Sequence, residues 1–567
     1  MTALILLWFF FNPFQPAPAK APATRQEQLQ RHKESPVNRQ KSTPLTPAAE
    51  NIHRALDRLL RQSQVGSGSD QSLFAARLSR FYAARRYQPV WTKPAMATEL
   101  LSVVESSADD GLDPSDYHVA EIKVFLSQPP ATPELQARYD LLLSDAFLTL
   151  AGHLRFGKVD PASIAQNLNY PDSRVRAALE ARLQSAVAGE RIAGVIKEQR
   201  QQHPGYERLR KGLLHYRALA EKGGWQGIAE GPGVKEGARD SRVPLFRKRL
   251  ELAGELAPVL EDTSMVYSKE LADAVRRFQK QHGAAVDGNP GPATVRAMNV
   301  SAERRIEQIR TNLERYRWLS NEIPSTCVLV NTAGFTLHYL ENGRNRWETR
   351  VIVGQVERQT PVFKADMQYV IFNPRWVVPP TVFIKDVLPA VRKNRAYLAK
   401  KNLTIVDKDG QVVKPESVDW AHYSSSNFPY RLQQSSGDAG SLGRIKFMLP
   451  NRYMVYLHDT PSKELFAKSS RAFSSGCIRV ENPQELAWLV LQDGAKWSRE
   501  RIQVAINSGK TFSVPLPRRV PVVIVYLTAV GDGDELRFYD DIYSRDTAVL
   551  KSLEKPVPQS KKASFGL

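Results

Sequence analysis

The chain has 567 residues, 42% apolar and 24% charged, and that length predicts about three or four domains rather than one. Its 79 Lys and Arg against 59 Asp and Glu give a formal charge of +20, which points to an anionic partner among nucleic acid, membrane and cell wall. The two cysteines, Cys327 and Cys477, exclude a disulfide-stapled scaffold and any Cys-rich zinc or iron–sulfur site.

Residues 1–13 form a signal- or anchor-like apolar segment. Its core, Ala3 to Phe11, is too short for a bilayer, which takes about 20 residues, but suits a signal peptide. The absence of a preceding Lys or Arg departs from the usual positive n-region, but Ala17, Ala19, Ala21 and Ala23 supply two A-x-A cleavage patterns, each made imperfect by Pro18 or Pro22, and export is expected. Residues 14–51 are rich in Pro, Gln, Arg, Lys and Ala and read as a disordered tether. Over 52–240 the period is helical: Phe74, Leu78 and Phe81, then Met96, Leu100 and Val103, then Tyr206, Leu209, Leu213 and Tyr216. This stretch is expected to be a scaffold without a catalytic cluster. A compact helical module follows over 241–300, with Val275 and Phe278 on its core face. Residues 301–323 form a connector helix with a stripe of Ile306, Ile309, Leu313 and Tyr316.

After Pro324 the texture becomes β-branched and aromatic, and a β-rich domain is expected over 324–515, with Asn342-Gly343 as a hairpin turn. An insertion over 386–440 carries Trp420, Tyr423, Phe428, Tyr430 and Arg431, a composition that suits a lid over a carboxylate-bearing peptide. Residues 516–567 are a further strand and tail. Their aspartates, Asp532, Asp534, Asp540 and Asp541, lack the spacing of a calcium loop, so no metal is assigned.

The chemistry concentrates in two segments. Arg452 to His458 reads as a strand that puts Met454, Tyr456 and His458 on one face. Ser474-Ser475-Gly476-Cys477-Ile478-Arg479-Val480 then presents a thiol on a tight turn. A thiol becomes a strong nucleophile when a neighbour takes its proton, and His458 is the best-placed imidazole. Cys327 reads as a buried free thiol and His338 as structural. Strand alternation turns Asp459 away from the His458 ring.

Two resemblances give these residues a context. The FQ-x-x-HG, VDG and GP-x-T elements between Phe278 and Thr294 resemble the three-helix peptidoglycan-binding module of wall enzymes. His458 and SSGCIRV, preceded by Asn373-Pro374-Arg375-Trp376-Val377-Val378-Pro379-Pro380 and Gly443-Arg444-Ile445-Lys446-Phe447, resemble the L,D-transpeptidase catalytic domain. The variety is the large Gram-negative one. The resemblance implies a multi-domain fold: α-helical scaffold, three-helix peptidoglycan-binding module and a β-rich catalytic domain of mixed sheet or sandwich type with an inserted lid.

It further implies a periplasmic enzyme of cell-wall biogenesis and cell shape that joins stem peptides by 3→3 cross-links and is acylated by carbapenems. Cys477 would be the nucleophile and His458 its base. Gly476, Cys477 and Tyr456 would hold the oxyanion, and Arg479 would meet a stem-peptide carboxylate. Ser475, Trp420 and Tyr430 are further candidate substrate contacts. No cofactor is implied and nucleic acid is not a partner. The expected partners are donor and acceptor stem peptides, with inner-membrane anchoring and other wall-synthesis proteins as candidates. An L,D-carboxypeptidase or cysteine hydrolase of stem peptides, and a non-catalytic wall-binding protein, are the alternatives.

Overall fold

The computed structural model describes residues 44–64, 69–164, 179–258, 263–319, 323–424, 427–494 and 496–557. The apolar segment and most of the expected tether lie outside the described residues. The first helix, Pro47–Gln64, already starts within the stretch read as tether, because Ala49, Ile52 and Leu56 recur at helical spacing and are buried.

The scaffold is organised around the helix Pro133–Phe156. Thr132 caps it, its hydroxyl accepting from the Leu135 N–H at 3.2 Å. Its Leu141, Leu143, Phe147, Leu150 and Leu154 face several directions yet all are fully buried, as expected of a helix that others surround. Met96, Leu100 and Val103, from the helix Pro94–Ser106, join the same core.

In the next module the helix Lys269–Gln281 buries Val275 and Phe278, and Gln279 explains the spacing of the motif around it. The Gln279 amide oxygen accepts from the N–H groups of Asp287 and Gly288 at 3.0 and 2.8 Å. Its NH2 donates to Asp287 Oδ1 and Thr294 Oγ1 at 2.8 and 3.1 Å. One buried amide thus ties the FQ, VDG and GP-x-T elements together, satisfying every bond it could make with water.

The helix Ala302–Leu319 is more than the amphipathic connector its stripe predicts, because its charged side chains are buried too. Arg317 pairs with Glu314 and donates to the Asp110 carbonyl. Glu314 accepts from the Val159 N–H at 2.6 Å, and Arg315 meets Asp546 at 2.6 Å. Glu314, Arg315 and Arg317 thus each have a partner of opposite charge, without which each would cost several kcal/mol.

The β-rich region is one nine-stranded mixed sheet with a smaller sheet inserted. Its strands in chain order are β1 (Cys327–Asn331), β2 (Thr336–Glu341), β3 (Arg344–Gly354), β4 (Phe363–Phe372), β5 (Trp376–Val377), β6 (Thr404–Val406), β7 (Val412–Val413), β8 (Arg431–Gln434), β9 (Ile445–Met448), β10 (Leu457–His458), β11 (Ala472–Ser474), β12 (Ile478–Val480) and β13 (Phe512–Val525). The main order is β11-β3-β12-β10-β9-β4-β13-β1-β2, and β3 also pairs with β2, so the sheet curls back on itself. Asn342 and Gly343, at φ 52° and 76°, make the two-residue turn from β2 to β3 that their sequence predicts. The boundary expected at 515 falls inside β13. That strand lies between β4 and β1 and is integral to the sheet, its apolar Val520, Val522 and Ile524 being buried.

The insertion has its own sheet, β5-β8-β6-β7, and its own core of Phe383, Val391, Ile405, Trp420 and Leu432. It already takes in Trp376, before the expected start at 386. Trp420 is 3% exposed and its indole N–H donates to the Pro415 carbonyl, which corrects its expected role as a substrate contact: it is a core residue of the insertion. Tyr430 is half-buried, edge-on to Phe428 and Tyr423.

Candidate active site

Strand register builds the site. β10 runs parallel to β12, with Leu457 opposite Ile478 and His458 opposite Arg479, and antiparallel to β9, with Leu457 opposite Phe447 and His458 opposite Lys446. Leu457, Phe447 and Ile478 enter the core, so alternation brings His458, Lys446 and Arg479 to the other face. Cys477 and Tyr456 stand one residue before these strands and meet there. The Tyr456 backbone and side chain both favour the Cys477 thiolate, and the thiol is directed at the Met454 carbonyl at 3.9 Å. The Tyr456 and His458 rings are 5.6 Å apart, edge to face.

The strand expected over Arg452 to His458 shrinks to its last two residues. Asn451 folds the preceding segment into a turn, its Oδ1 accepting from the Tyr453 and Val455 N–H groups at 3.0 and 3.2 Å. Met454 takes φ 55° and is 63% exposed, so it does not share the face of Tyr456 and His458 as a strand residue would.

On the thiol side, Ser474 Oγ donates to the Cys477 carbonyl at 2.5 Å and accepts from the Gly476 N–H at 3.1 Å. The Gly476 N–H is thereby occupied, which corrects its expected part in holding an oxyanion. What Gly476 supplies is a φ of 113° that lets the loop turn, and a carbonyl that accepts from Thr360 Oγ1 at 2.9 Å. Thr360 Oγ1 also accepts from the Gly354 N–H at 2.9 Å, and Tyr543 donates to the Gly354 carbonyl at 2.6 Å. Ser475 is exposed, and its hydroxyl accepts from Arg358 at 2.9 Å. The same guanidinium grips Asp386 of the insertion with two bonds of 2.5 and 2.6 Å.

His458 is buried, and its Nδ1 is paired with the Asp459 carbonyl. A carbonyl only accepts, so Nδ1 carries the hydrogen and Nε2 is left as the basic nitrogen. Burial, and then the Arg479 cation, push the imidazole down to about 3, so it is neutral at physiological pH. The Asp459 carboxylate faces elsewhere, as alternation predicts. It accepts from the N–H groups of Arg444 and Thr460 at 2.8 Å and pairs with Lys463 at 2.6 Å. Gly443 packs on it at φ 58°, where a Cβ would lie 2.4 Å from Asp459 Cγ.

Burial pushes the half-buried Cys477 thiol up, against the pull of Tyr456, Lys446 and Arg479. Cys327 is fully buried in β1, where burial drives its thiol up to about 12, too high for reactivity. A free thiol level with a phenol, and with a neutral imidazole two register positions along the same face and cations at hand, suits acyl transfer by covalent catalysis. Among the described residues no three His, Cys, Asp or Glu side chains are grouped to hold a metal ion.

Three residues of this site carried no role in the sequence reading. Trp376 influences the Tyr456 hydroxyl, Lys446 sits over the Tyr456 ring at 3.8 Å, and Arg358 connects the insertion to the thiol loop. Trp376 and Lys446 appear in that reading only inside motifs, Lys446 as a charge alternating with the buried Ile445 and Phe447.

Residues 325–522 match the model of the L,D-transpeptidase catalytic domain, residues 239–298 that of a peptidoglycan-binding domain, and residues 76–213 that of the scaffold domain. Residues 325–522 are thus similar to an L,D-transpeptidase catalytic domain. A Haemophilus influenzae protein whose name assigns it provisionally as an L,D-transpeptidase is 37% identical over 222 residues, 39% of this chain and 45% of its own length. The chain thus spans about half the length of that curated relative. A solved L,D-transpeptidase fragment from Xylanimonas cellulosilytica is 14% identical and covers 52% of this chain and 99% of its own. Its TM-score of 0.17 is too low to carry an argument. The two matched domain types, catalytic and binding, both address peptidoglycan, which points to a working site outside the cytoplasm. Among the described residues no helix is long and apolar enough to cross a membrane.

Proposed function

We propose that the protein forms 3→3 cross-links between peptidoglycan stem peptides through a thioester on Cys477. The observation that carries this reading is that the pairing of β10 with β12 brings Cys477 and Tyr456 to the face of His458, a neutral ring whose Nδ1 is fixed by the Asp459 carbonyl. His458 Nε2 takes the thiol proton as the sulfur attacks the carbonyl of the third residue of a donor stem. The tetrahedral oxyanion is held by the Cys477 N–H and the Tyr456 hydroxyl. The C–N bond then breaks, and His458 returns the proton to the departing terminal D-alanine. A side-chain amine of a second stem gives a proton to His458 and attacks the thioester, releasing the Cys477 thiol and forming the new amide. Arg479 receives a stem carboxylate, and the module at 239–298 keeps the chain on its polymer.

The test is a mass shift on Cys477 after incubation with a carbapenem, absent in Cys477→Ser, followed by incubation with disaccharide-tetrapeptides. Cross-linked dimers are expected. Clipped tripeptides alone would replace the reading with a stem-peptide hydrolase, and no adduct on folded protein would remove the enzyme altogether.

A further inference from the structure

Lys446 does not form the ion pair that a half-buried lysine usually needs. Its Nζ lies 3.8 Å from the centre of the Tyr456 ring, and among the described residues no carboxylate is near enough to be its partner. Burial at this place works against the ammonium, and the charge that favours it is that of Cys477. A cation over a phenol ring draws electron density from it and makes the hydroxyl a stronger donor. The Tyr456 hydroxyl is also influenced by Trp376 of the insertion and by the Cys477 sulfur, which lies one strand away in register. Register explains the assembly, since Lys446 and His458 are cross-strand partners and Tyr456 lies two residues before His458.

We infer that Lys446 is an electrostatic positioning residue that acts through the Tyr456 ring to stabilise negative charge on the Cys477 sulfur. The inference rests on the reading of Cys477 as the nucleophile, but alkylation can test it without substrate. The groups facing the sulfur are the Tyr456 backbone and side chain, Lys446 of β9 and Arg479 of β12, with Glu464 electrostatically coupled to Arg479. His458 occupies the adjacent strand as a neutral ring.

The experiment measures iodoacetamide alkylation of Cys477 against pH in the full chain carrying Cys327→Ala. Lys446→Met keeps the aliphatic stem and removes the charge. It is expected to raise the apparent thiol pKa by about 0.5 to 1, slowing alkylation about three- to tenfold near neutral pH. Lys446→Arg is expected to restore most of the rate, and thermal melts establish that each variant is folded. A Lys446→Met profile superimposable on that of the parent overturns the inference, whatever the transpeptidation result. In a Tyr456→Phe background the Lys446→Met shift is expected to shrink to less than half, and an undiminished shift overturns the route through the ring. A shifted profile in a protein that makes no cross-links would leave the role of Lys446 standing and remove only the proposed reaction.

Discussion

The buried, neutral His458 makes stability depend on pH in a way that can be worked out in advance. Its imidazole is pushed from 6.5 down to about 3 by burial and by Arg479. The unfolded chain therefore binds a proton below pH 6.5 that the folded chain refuses until near pH 3. A group with a depressed folded pKa contributes stability that is present above the unfolded value and lost as pH falls towards the folded one. At about 1.4 kcal/mol per unit, the loss is about 2 kcal/mol by pH 5 and about 3 kcal/mol by pH 4. His458→Gln has no such titration and serves as the reference. Urea unfolding, followed by tryptophan fluorescence for both proteins at several pH values, isolates the term, because carboxylates common to both cancel in the difference. The parent should lose its advantage over His458→Gln by about 2 kcal/mol between pH 7.5 and pH 5. Curves that run parallel to within about 0.5 kcal/mol would mean that the ring titrates normally, and would refute the account of a neutral base held by its surroundings.

Other outcomes follow from the loops around the site. Gly443→Ala places a methyl where Asp459 Cγ stands at 2.4 Å, at φ 58°, and should cost about 1–3 kcal/mol in denaturation while lowering acylation of Cys477 by displacing the carbonyl that fixes His458. Thr360→Val removes the bonds to the Gly476 carbonyl and from the Gly354 N–H. It should destabilise the fold by about 1–3 kcal/mol and slow carbapenem acylation, measured by intact mass. Native protein treated with excess iodoacetamide should take one adduct, on Cys477, and denatured protein two, because Cys327 is sealed in β1 with its thiol driven up to about 12.

Much of this was legible in the sequence where local rules decide. The periodicity that predicts burial of Met96, Leu100, Val103, Leu209, Leu213 and Phe278 agrees with their places in the core. Asn342-Gly343 turns because both residues accept positive φ. Alternation turns the Asp459 side chain away from the His458 ring, and the carboxylate is found on Arg444, Thr460 and Lys463 instead.

What was not legible depends on contacts between distant segments. Nothing local distinguishes Trp420 as a core residue from Trp420 as a binding residue, because that turns on what its insertion packs against itself. The Asn451 side chain converts an apparent strand into a turn by competing for the backbone, a rival that alternation does not register. Gly476 lost its expected role to Ser474, whose hydroxyl takes the N–H two residues later. The pairing of Arg358 with Asp386 joins positions far apart in the chain, and no spacing rule could suggest it.

The bond from Tyr543 to the Gly354 carbonyl determines where the chain can be cut. The catalytic-domain match ends at 522, yet the back wall of the thiol loop runs from Gly476 through Thr360 and Gly354 to Tyr543. Asp546, a little further on, neutralises the buried Arg315 of the helix that precedes the sheet. A fragment trimmed to 325–522 would keep Cys477, His458 and Tyr456 and lose the prop behind the Cys477 loop. A fragment that kept the helix but ended there would bury an arginine with no counter-charge. On the C-terminal side, an intact piece therefore extends through the helix Asp546–Leu553, well beyond the limit at 522 that the catalytic-domain match draws.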